Sequence, residues 1–143
     1  MKPFRFEVEG VPSFDLNPNS RAHFRKKIAA KQKLSEAFYE GICVAFADQQ
    51  GTEFEFPWSR VAIWVDWKHS FHIKPDADNA LAMLKAGFDE LAKNGVITDD
   101  RHAIYPPITF ERVAKGEERL IVTVSEAREG ECPMCGTLCG GDG

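Results

Sequence analysis

Residues 74–101 constrain the possible folds of this chain more than any other stretch, because residues typical of turns and of helix ends stand close together there in the sequence. Pro75 disfavours helical backbone at the residue before it and so predicts an extended approach. Asp78 or Asn79 can then cap a helix through a side-chain oxygen, and Gly95 is a typical helix end. The stretch therefore predicts an extended segment, a helix and a tight turn, in that order.

The predicted helix runs from about residue 79 to residue 94 and has one apolar stripe. Its members recur at spacings of three and four residues, which is the period of an α-helix. The pattern therefore predicts one buried face, formed by Leu81, Leu84, Phe88 and Leu91.

Acidic residues stand at both ends of this helix. On an extended chain Asp76 and Asp78 leave the same face, with about 7 Å between their Cα atoms. Asp99 and Asp100 follow the helix, and Lys85, nearly two turns after Asp78, can reach back because helical side chains tilt toward the N-terminus. Magnesium prefers oxygen ligands of this kind, so the layout predicts a divalent-metal site for phosphate chemistry. The spacing also permits a purely structural interpretation, in which the acids cap turns and Lys85 is solvated.

The first half of the chain predicts one strand and one helix. Phe4, Phe6 and Val8 alternate with charged residues, as in a strand. A helix is predicted over about residues 34–48, with a break near Ser35, because one helix from residue 20 to residue 48 would be unusually long. Cys43 lies beside its apolar stripe and is expected to be a buried packing residue. The stripe consists of Leu34, Phe38, Ile42 and Phe46.

The remaining strands complete the fold prediction. A strand is expected over residues 60–71, and another over 103–113, interrupted by Pro106-Pro107 and so confined to a sheet edge or bulge. A turn at Lys115-Gly116 leads into a last strand over residues 119–126. The predicted fold is α/β (α+β): a single domain with a mixed β-sheet and flanking helices in the order β-α-β-α-β-β.

Charge is distributed unevenly along the chain. The formal net charge of -4 argues against a generic nucleic-acid binder, which usually has a basic footprint. One segment is nevertheless basic and contains no acid, which predicts contacts with phosphate groups, or alternatively a solvated helix face. Its six cationic residues are Arg21, Arg25, Lys26, Lys27, Lys31 and Lys33.

Two further features concern the compartment and the C-terminal tail. No long apolar run and no signal-peptide pattern at Met1 are present, so a cytoplasmic, intracellular protein is expected. Cys132, Cys135 and Cys139 have the shape of one zinc knuckle, but a structural Zn²⁺ needs a fourth ligand from elsewhere. The alternative is a tail of free thiols, since disulfides are disfavoured inside cells.

Three segments around the predicted helix together resemble the signature of the RusA family of Holliday junction resolvases. The resemblance covers roughly residues 3–126 and is strongest over residues 75–101. The matching segments are Asp76-Ala-Asp78-Asn79, Lys85-Ala-Gly-Phe88-Asp89 and Gly95-Val-Ile-Thr-Asp99-Asp100.

The resemblance implies roles for four residues. Asp76, Asp78 and Asp100 would be the catalytic acids that bind Mg²⁺, and Lys85 would be the catalytic lysine. In the family the lysine follows the second acid by about one turn, and this chain has Ala82 at that position. Residues 1–128 would form a RusA-like endonuclease domain, and residues 129–143 a cysteine-containing tail.

The implied function is magnesium-dependent, structure-selective hydrolysis of DNA phosphodiesters at Holliday junctions, in recombination and repair. A four-way junction has approximate two-fold symmetry, so paired cuts favour a C2 homodimer. Two alternatives remain open at this point: a non-catalytic DNA-binding protein with a zinc module, and a metal-dependent phosphohydrolase that acts on nucleotides.

Overall fold

Alternating apolar residues build the strands of one five-stranded mixed sheet. In the computed structural model the described residues are 3–10, 12–49, 54–99, 101 and 103–126. In β1 and β5 every second residue is buried, and in β2 Val61, Ile63, Val65 and Trp67 line the same buried face, whereas Trp64 lies on the other face and is 38% exposed. The strands are β1 (Phe4–Glu9), β2 (Val61–His69), β3 (Ala103–Ile104), β4 (Thr109–Arg112) and β5 (Arg119–Glu126).

Strand β2 occupies the centre of the sheet. It pairs with β5 in antiparallel fashion on one side, and β1 pairs with β5 beyond it. On its other side β2 pairs in parallel with β3 and then with β4, so these two short strands form one interrupted edge. Pro106-Pro107 falls between them, where no amide donor is needed, and the predicted edge position is confirmed.

The predicted turn before β5 is present, although the strands on either side of it are not paired with each other. The amide of Glu117 donates to the carbonyl of Ala114, and Gly116 has a φ of 99° that suits a residue without a side chain. Strands β4 and β5 nevertheless lie on opposite sides of β2. The turn therefore carries the chain across the end of β2.

Helix α1 (Phe24–Asp48) is continuous, so the break predicted near Ser35 was wrong. The hydroxyl of Ser35 donates to the carbonyl of Ala86 at 3.3 Å, and burial continues on both sides of this residue. A strict four-residue spacing drifts around a helix of 3.6 residues per turn, so Ala45 is buried and Phe46 is 38% exposed. Cys43 is exposed, which overturns its predicted burial, because it points about 100° away from Ile42.

Helix α2 (Ala77–Lys93) begins two residues earlier than predicted, with Asp76 as its N-cap. Asp78 consequently lies in the first helical turn and not on an extended strand. Gly95 follows the helix with a φ of 77°, as its position after the helix end predicts. Both helices contribute to a single core with the buried face of the sheet, which makes this a mixed α+β fold.

One end of the sheet gathers several element termini. Strands β1, β2 and β4 end there at Glu9, His69 and Arg112, and we call this end the carboxyl edge. The loops that leave β1 and β2 lead into the N-termini of α1 and α2. Within the described part of the chain, no helix is long and apolar enough to cross a membrane.

Candidate metal and nucleic-acid site

Two carboxylates at the start of α2 are exposed and unengaged. Asp76 occupies the N-cap position with extended backbone (φ -62°, ψ 157°), yet its side chain makes no capping hydrogen bond. Asp78 lies in the first turn. Among the described residues, neither carboxylate forms a hydrogen bond or an ion pair. Both carboxylates are therefore available as oxygen ligands, and the positive end of the helix dipole attracts anions to the same place.

Two other acids near the carboxyl edge, Asp66 and Glu111, form ion pairs with one lysine. The ammonium of Lys68 lies 3.1 Å from Asp66 and also contacts Glu111. The hydrogen bond with Glu111, and then that with Asp66, raises the pKa of Lys68 above its usual value. These two acids serve a cross-strand ion pair, which distinguishes them from Asp76 and Asp78.

Lys85 does not point toward the acid pair. Its ammonium lies 3.3 Å from Asp89, one turn farther along α2, and the side chain is 57% exposed. The backward reach predicted from helical tilt is therefore not observed in this structure. The catalytic role of Lys85 stays a prediction.

Two other cations, Lys74 and Arg112, lie near the end of β2, where both act on His69. The ammonium of Lys74 lies 4.7 Å from the centroid of the Phe110 ring, a cation–π contact that holds it two residues before Asp76. Arg112 ends β4 at the same edge. Sequence analysis missed this pair, because the partner ring stands far along the chain in a strand whose pairing was unknown.

His69 lies buried beneath these cations. It is 6% exposed, and its Nδ1 accepts a hydrogen bond from the amide of Phe71 at 3.2 Å. Burial lowers the pKa of His69, and the positive charges of Arg112 and Lys74 lower it further. The imidazole is therefore held neutral with its proton on Nε2, where it adds no charge to the edge.

Asp99 lies beyond the other end of α2. This helix is about 24 Å long at roughly 1.5 Å per residue. The residues after it bond to the start of β2, through the amide of Thr98 and the carbonyl of Trp58. There Asp99 accepts a hydrogen bond from the Arg101 amide at 2.8 Å and pairs with its guanidinium at 3.0 Å.

Within one subunit, Asp76 and Asp99 are therefore separated by about the length of α2, and Asp78 lies in the first turn of that helix. Asp100 lies outside the described residues, so its predicted role is not tested. Within the ranges that the structure describes, no group of three or more His, Cys, Asp or Glu side chains is arranged to hold a metal ion. Cys132, Cys135 and Cys139 also lie outside those ranges, and a zinc site there stays a prediction.

The basic segment surrounds the start of α1. Five of its six cations are exposed and Lys27 is half-buried. Inside the described ranges none of the six forms an ion pair, and the first turn of α1 contains no acid. Cations at a helix N-terminus oppose the helix dipole, typically by about 0.3–1 kcal/mol each. This arrangement weakens the helix and attracts anions.

The basic segment at the start of α1 and the acid pair at the start of α2 lie at about the same distance from the contact between the two helices. Ser35 of α1 contacts Ala86 of α2, and both helices run away from the carboxyl edge. Ser35 follows the first residue of α1 by nearly the same number of residues as Ala86 follows Asp76. The site therefore combines unengaged acids with flanking cations at one edge of the molecule.

Comparison with known proteins identifies a relative. No protein-family model matches the chain. A protein of Xylella fastidiosa (strain Temecula1 / ATCC 700964), described as "Uncharacterized protein", is 30% identical over 113 residues. The match covers 78% of this chain and 71% of the relative. This chain therefore belongs to the same family as that Xylella fastidiosa protein.

Proposed function

We propose that the protein is a magnesium-dependent, RusA-like endodeoxyribonuclease that cuts four-way DNA junctions in recombination and repair. The observation that carries the proposal is the pair of unengaged carboxylates, Asp76 and Asp78, beside an acid-free basic helix start. Acids alone would repel DNA, and cations alone would only bind it. The combination suits a site that grips a phosphate backbone and holds a divalent ion against it.

The residues present fit magnesium. Two carboxylates with no competing partner in the described part of the chain offer hard oxygen ligands, and the ion commonly uses one or two protein carboxylates in such sites. When bound, Mg²⁺ would supply Lewis-acid stabilisation of the phosphate and lower the pKa of a water nucleophile.

The side chains of the chain itself would bind and orient the DNA. The basic segment, from Arg21 to Lys33, would contact backbone phosphates, and such contacts provide affinity and register more than sequence choice. Lys74 and Arg112 would contact the phosphates next to the cut. Lys85, if released from Asp89, would add positive charge along α2.

A homodimer would resolve the separation of the acids. Because Asp76 and Asp99 lie at opposite ends of α2, a third carboxylate from Asp100 is most simply supplied by a second chain. In a C2 dimer the start of α2 in one subunit would face the end of α2 in its partner. Two equivalent sites would result, as two symmetric cuts require.

A nicking assay tests the proposal. End-labelled four-way junction is incubated with the wild-type protein in Mg²⁺ or in EDTA, and products are separated on a denaturing gel. We expect paired nicks only with Mg²⁺, and a loss of at least a hundredfold for Asp78→Asn with junction binding retained. Asp48→Asn, the same change at the far end of α1, is the control and should cut at the wild-type rate.

Two results would contradict the proposal. Junction binding without any nicking, unchanged by Asp78→Asn, would indicate a non-catalytic DNA-binding protein. Hydrolysis of free nucleotides without cutting of junctions would indicate a nucleotide phosphohydrolase.

A further inference from the structure

Two large apolar side chains project into solvent from the basic segment. Phe24, the first residue of α1, is 61% exposed, and Ile28, one turn later on the same side, is 51% exposed. The ring of His23 lies against Phe24, with 4.5 Å between ring centroids. Neither apolar residue belongs to the core cluster, so folding does not explain their presence.

The charged residues around Phe24 and Ile28 indicate which kind of molecule would bind there. Arg21, Arg25 and Lys31 are exposed around them, without an ion-pair partner among the described residues. A cationic surface of this kind attracts a polyanion and repels a basic partner, and it gives a neutral apolar partner no electrostatic attraction. Nucleic acid has both properties that the surface matches, since its backbone is anionic and its bases have apolar faces.

The position of Phe24 adds a second argument. Both helices begin at the carboxyl edge and are in contact at Ser35 and Ala86. The first turn of α1 and Asp76 lie about equally far from that contact along their helices. A side chain here would meet DNA close to the point of cutting. Proteins that bend or open DNA insert Phe, Leu or Ile between base steps in this way.

We propose that Phe24, supported by His23 and Ile28, stacks on bases exposed at a DNA branch point and so supplies the selectivity for branched over linear DNA. The inference rests on the proposed function for its substrate class, but it concerns recognition and not hydrolysis. Intact duplex offers no unstacked base, so linear DNA would gain only the phosphate contacts. A branch point would gain both.

The test compares two substrates and three variants. Binding of a four-way junction and of a linear duplex of equal length is measured by fluorescence anisotropy, in EDTA so that no cutting occurs. We expect Phe24→Ala to weaken junction binding about tenfold, which is within the range for loss of one stacked base, and to leave duplex binding within about twofold. Phe24→Trp should restore junction binding. Val44→Ala removes a side chain that is 60% exposed on the same helix but outside the basic segment, and it should change neither.

A direct readout uses 2-aminopurine at the branch point of the junction. Stacking on Phe24 should change its fluorescence on binding of the wild-type protein, and Phe24→Ala should abolish that change. Equal losses on junction and duplex, or no loss on either, would overturn the proposal. So would conversion of a dimer into a monomer by Phe24→Ala in sedimentation velocity, which would assign this face to a second copy of the chain.

These outcomes are separable from failure of the nuclease proposal. Wild-type protein that shows the Phe24-dependent junction preference but never nicks would contradict hydrolysis and support the recognition surface. If the wild-type protein and the Phe24→Ala variant nick junctions at the same rate, that result would contradict the recognition surface and support hydrolysis.

Discussion

Gly87 of α2 lies against the Phe38 ring of α1, and its replacement by alanine tests the packing between the two helices. A Cβ atom built on Gly87 would lie 2.3, 2.4 and 2.6 Å from three carbons of the Phe38 ring. Carbon atoms in good contact are about 3.5–4.0 Å apart, so the ring or the helices would have to move by more than 1 Å. Phe38 is fully buried and contacts the rings of Phe6 and Phe88, which leaves it little room.

The expected magnitude combines two opposing effects. Overpacking of a core typically costs about 1–3 kcal/mol, and three contacts this short place Gly87→Ala at the upper end. Alanine in a helix interior is favoured over glycine by about 1 kcal/mol. The net loss should be about 2 kcal/mol, or roughly 4–8 °C in Tm for a chain of this size.

Urea denaturation followed by tryptophan fluorescence measures this loss. Gly95→Ala is the control, because Gly95 has open space around it and only its positive φ opposes a side chain. Phe38→Leu should cost stability alone, yet it should cost at least about 1 kcal/mol less in the Gly87→Ala background, where the smaller side chain relieves the clash. Additive effects of the two substitutions, or a Gly87→Ala protein as stable as wild type, would refute the packing argument.

Two further predictions concern charge. Replacing Arg25, Lys26 and Lys27 together with alanine should weaken DNA binding and reduce the slope of log K against log[salt] by up to about three. Arg5→Ala, at an exposed position of β1 away from the carboxyl edge, should leave the slope unchanged. Anisotropy titrations over a salt series measure both slopes, and an unaltered slope in the triple variant would assign the segment to solvent. The buried environment holds the pKa of His69 below about 6.5, so the unfolded chain binds its proton more readily and stability should fall as the pH drops below that value. Urea midpoints between pH 8 and pH 5 should decline less steeply for His69→Asn than for wild type, and parallel curves would contradict this assignment.

Local patterns were sufficient to predict most of the fold. The last strand was placed at its observed bounds, because alternation over a half-buried strand is a direct consequence of geometry. Helix α2 was placed within two residues at its start. The edge position of Pro106-Pro107 followed from the missing amide donors alone.

The errors arose where tertiary contacts decide the outcome. The continuity of α1 through Ser35 depends on a contact with α2 that no local pattern reveals. The pairing of β4 with β2, which the sequence left unassigned, depends on the path of the chain around β2.

The candidate site shows the same division. Spacing alone suggested Asp76 and Asp78 as metal ligands, which stays a prediction, but it assumed that the chain is extended through Asp78, and the structure places that residue in a helix. Lys74 acquires its position from a ring in β4, and Lys85 is drawn to Asp89 by an ion pair at helical spacing. In both cases the direction of the side chain depends on its partner in the folded protein. Sequence spacing alone does not show which of several candidate partners is chosen.

Subunit mixing tests the central proposal, a site made of acids from two chains, most directly. Asp78→Asn and Asp100→Asn proteins are each inactive in that account, and a heterodimer of the two contains one site with both substitutions and one site with neither. Nicking of a four-way junction in Mg²⁺ should therefore reappear when the two inactive proteins are mixed and allowed to exchange subunits, and it should produce single nicks without paired cuts. Mixtures that stay inactive although heterodimers form, or single variants that nick at the wild-type rate, would contradict the account.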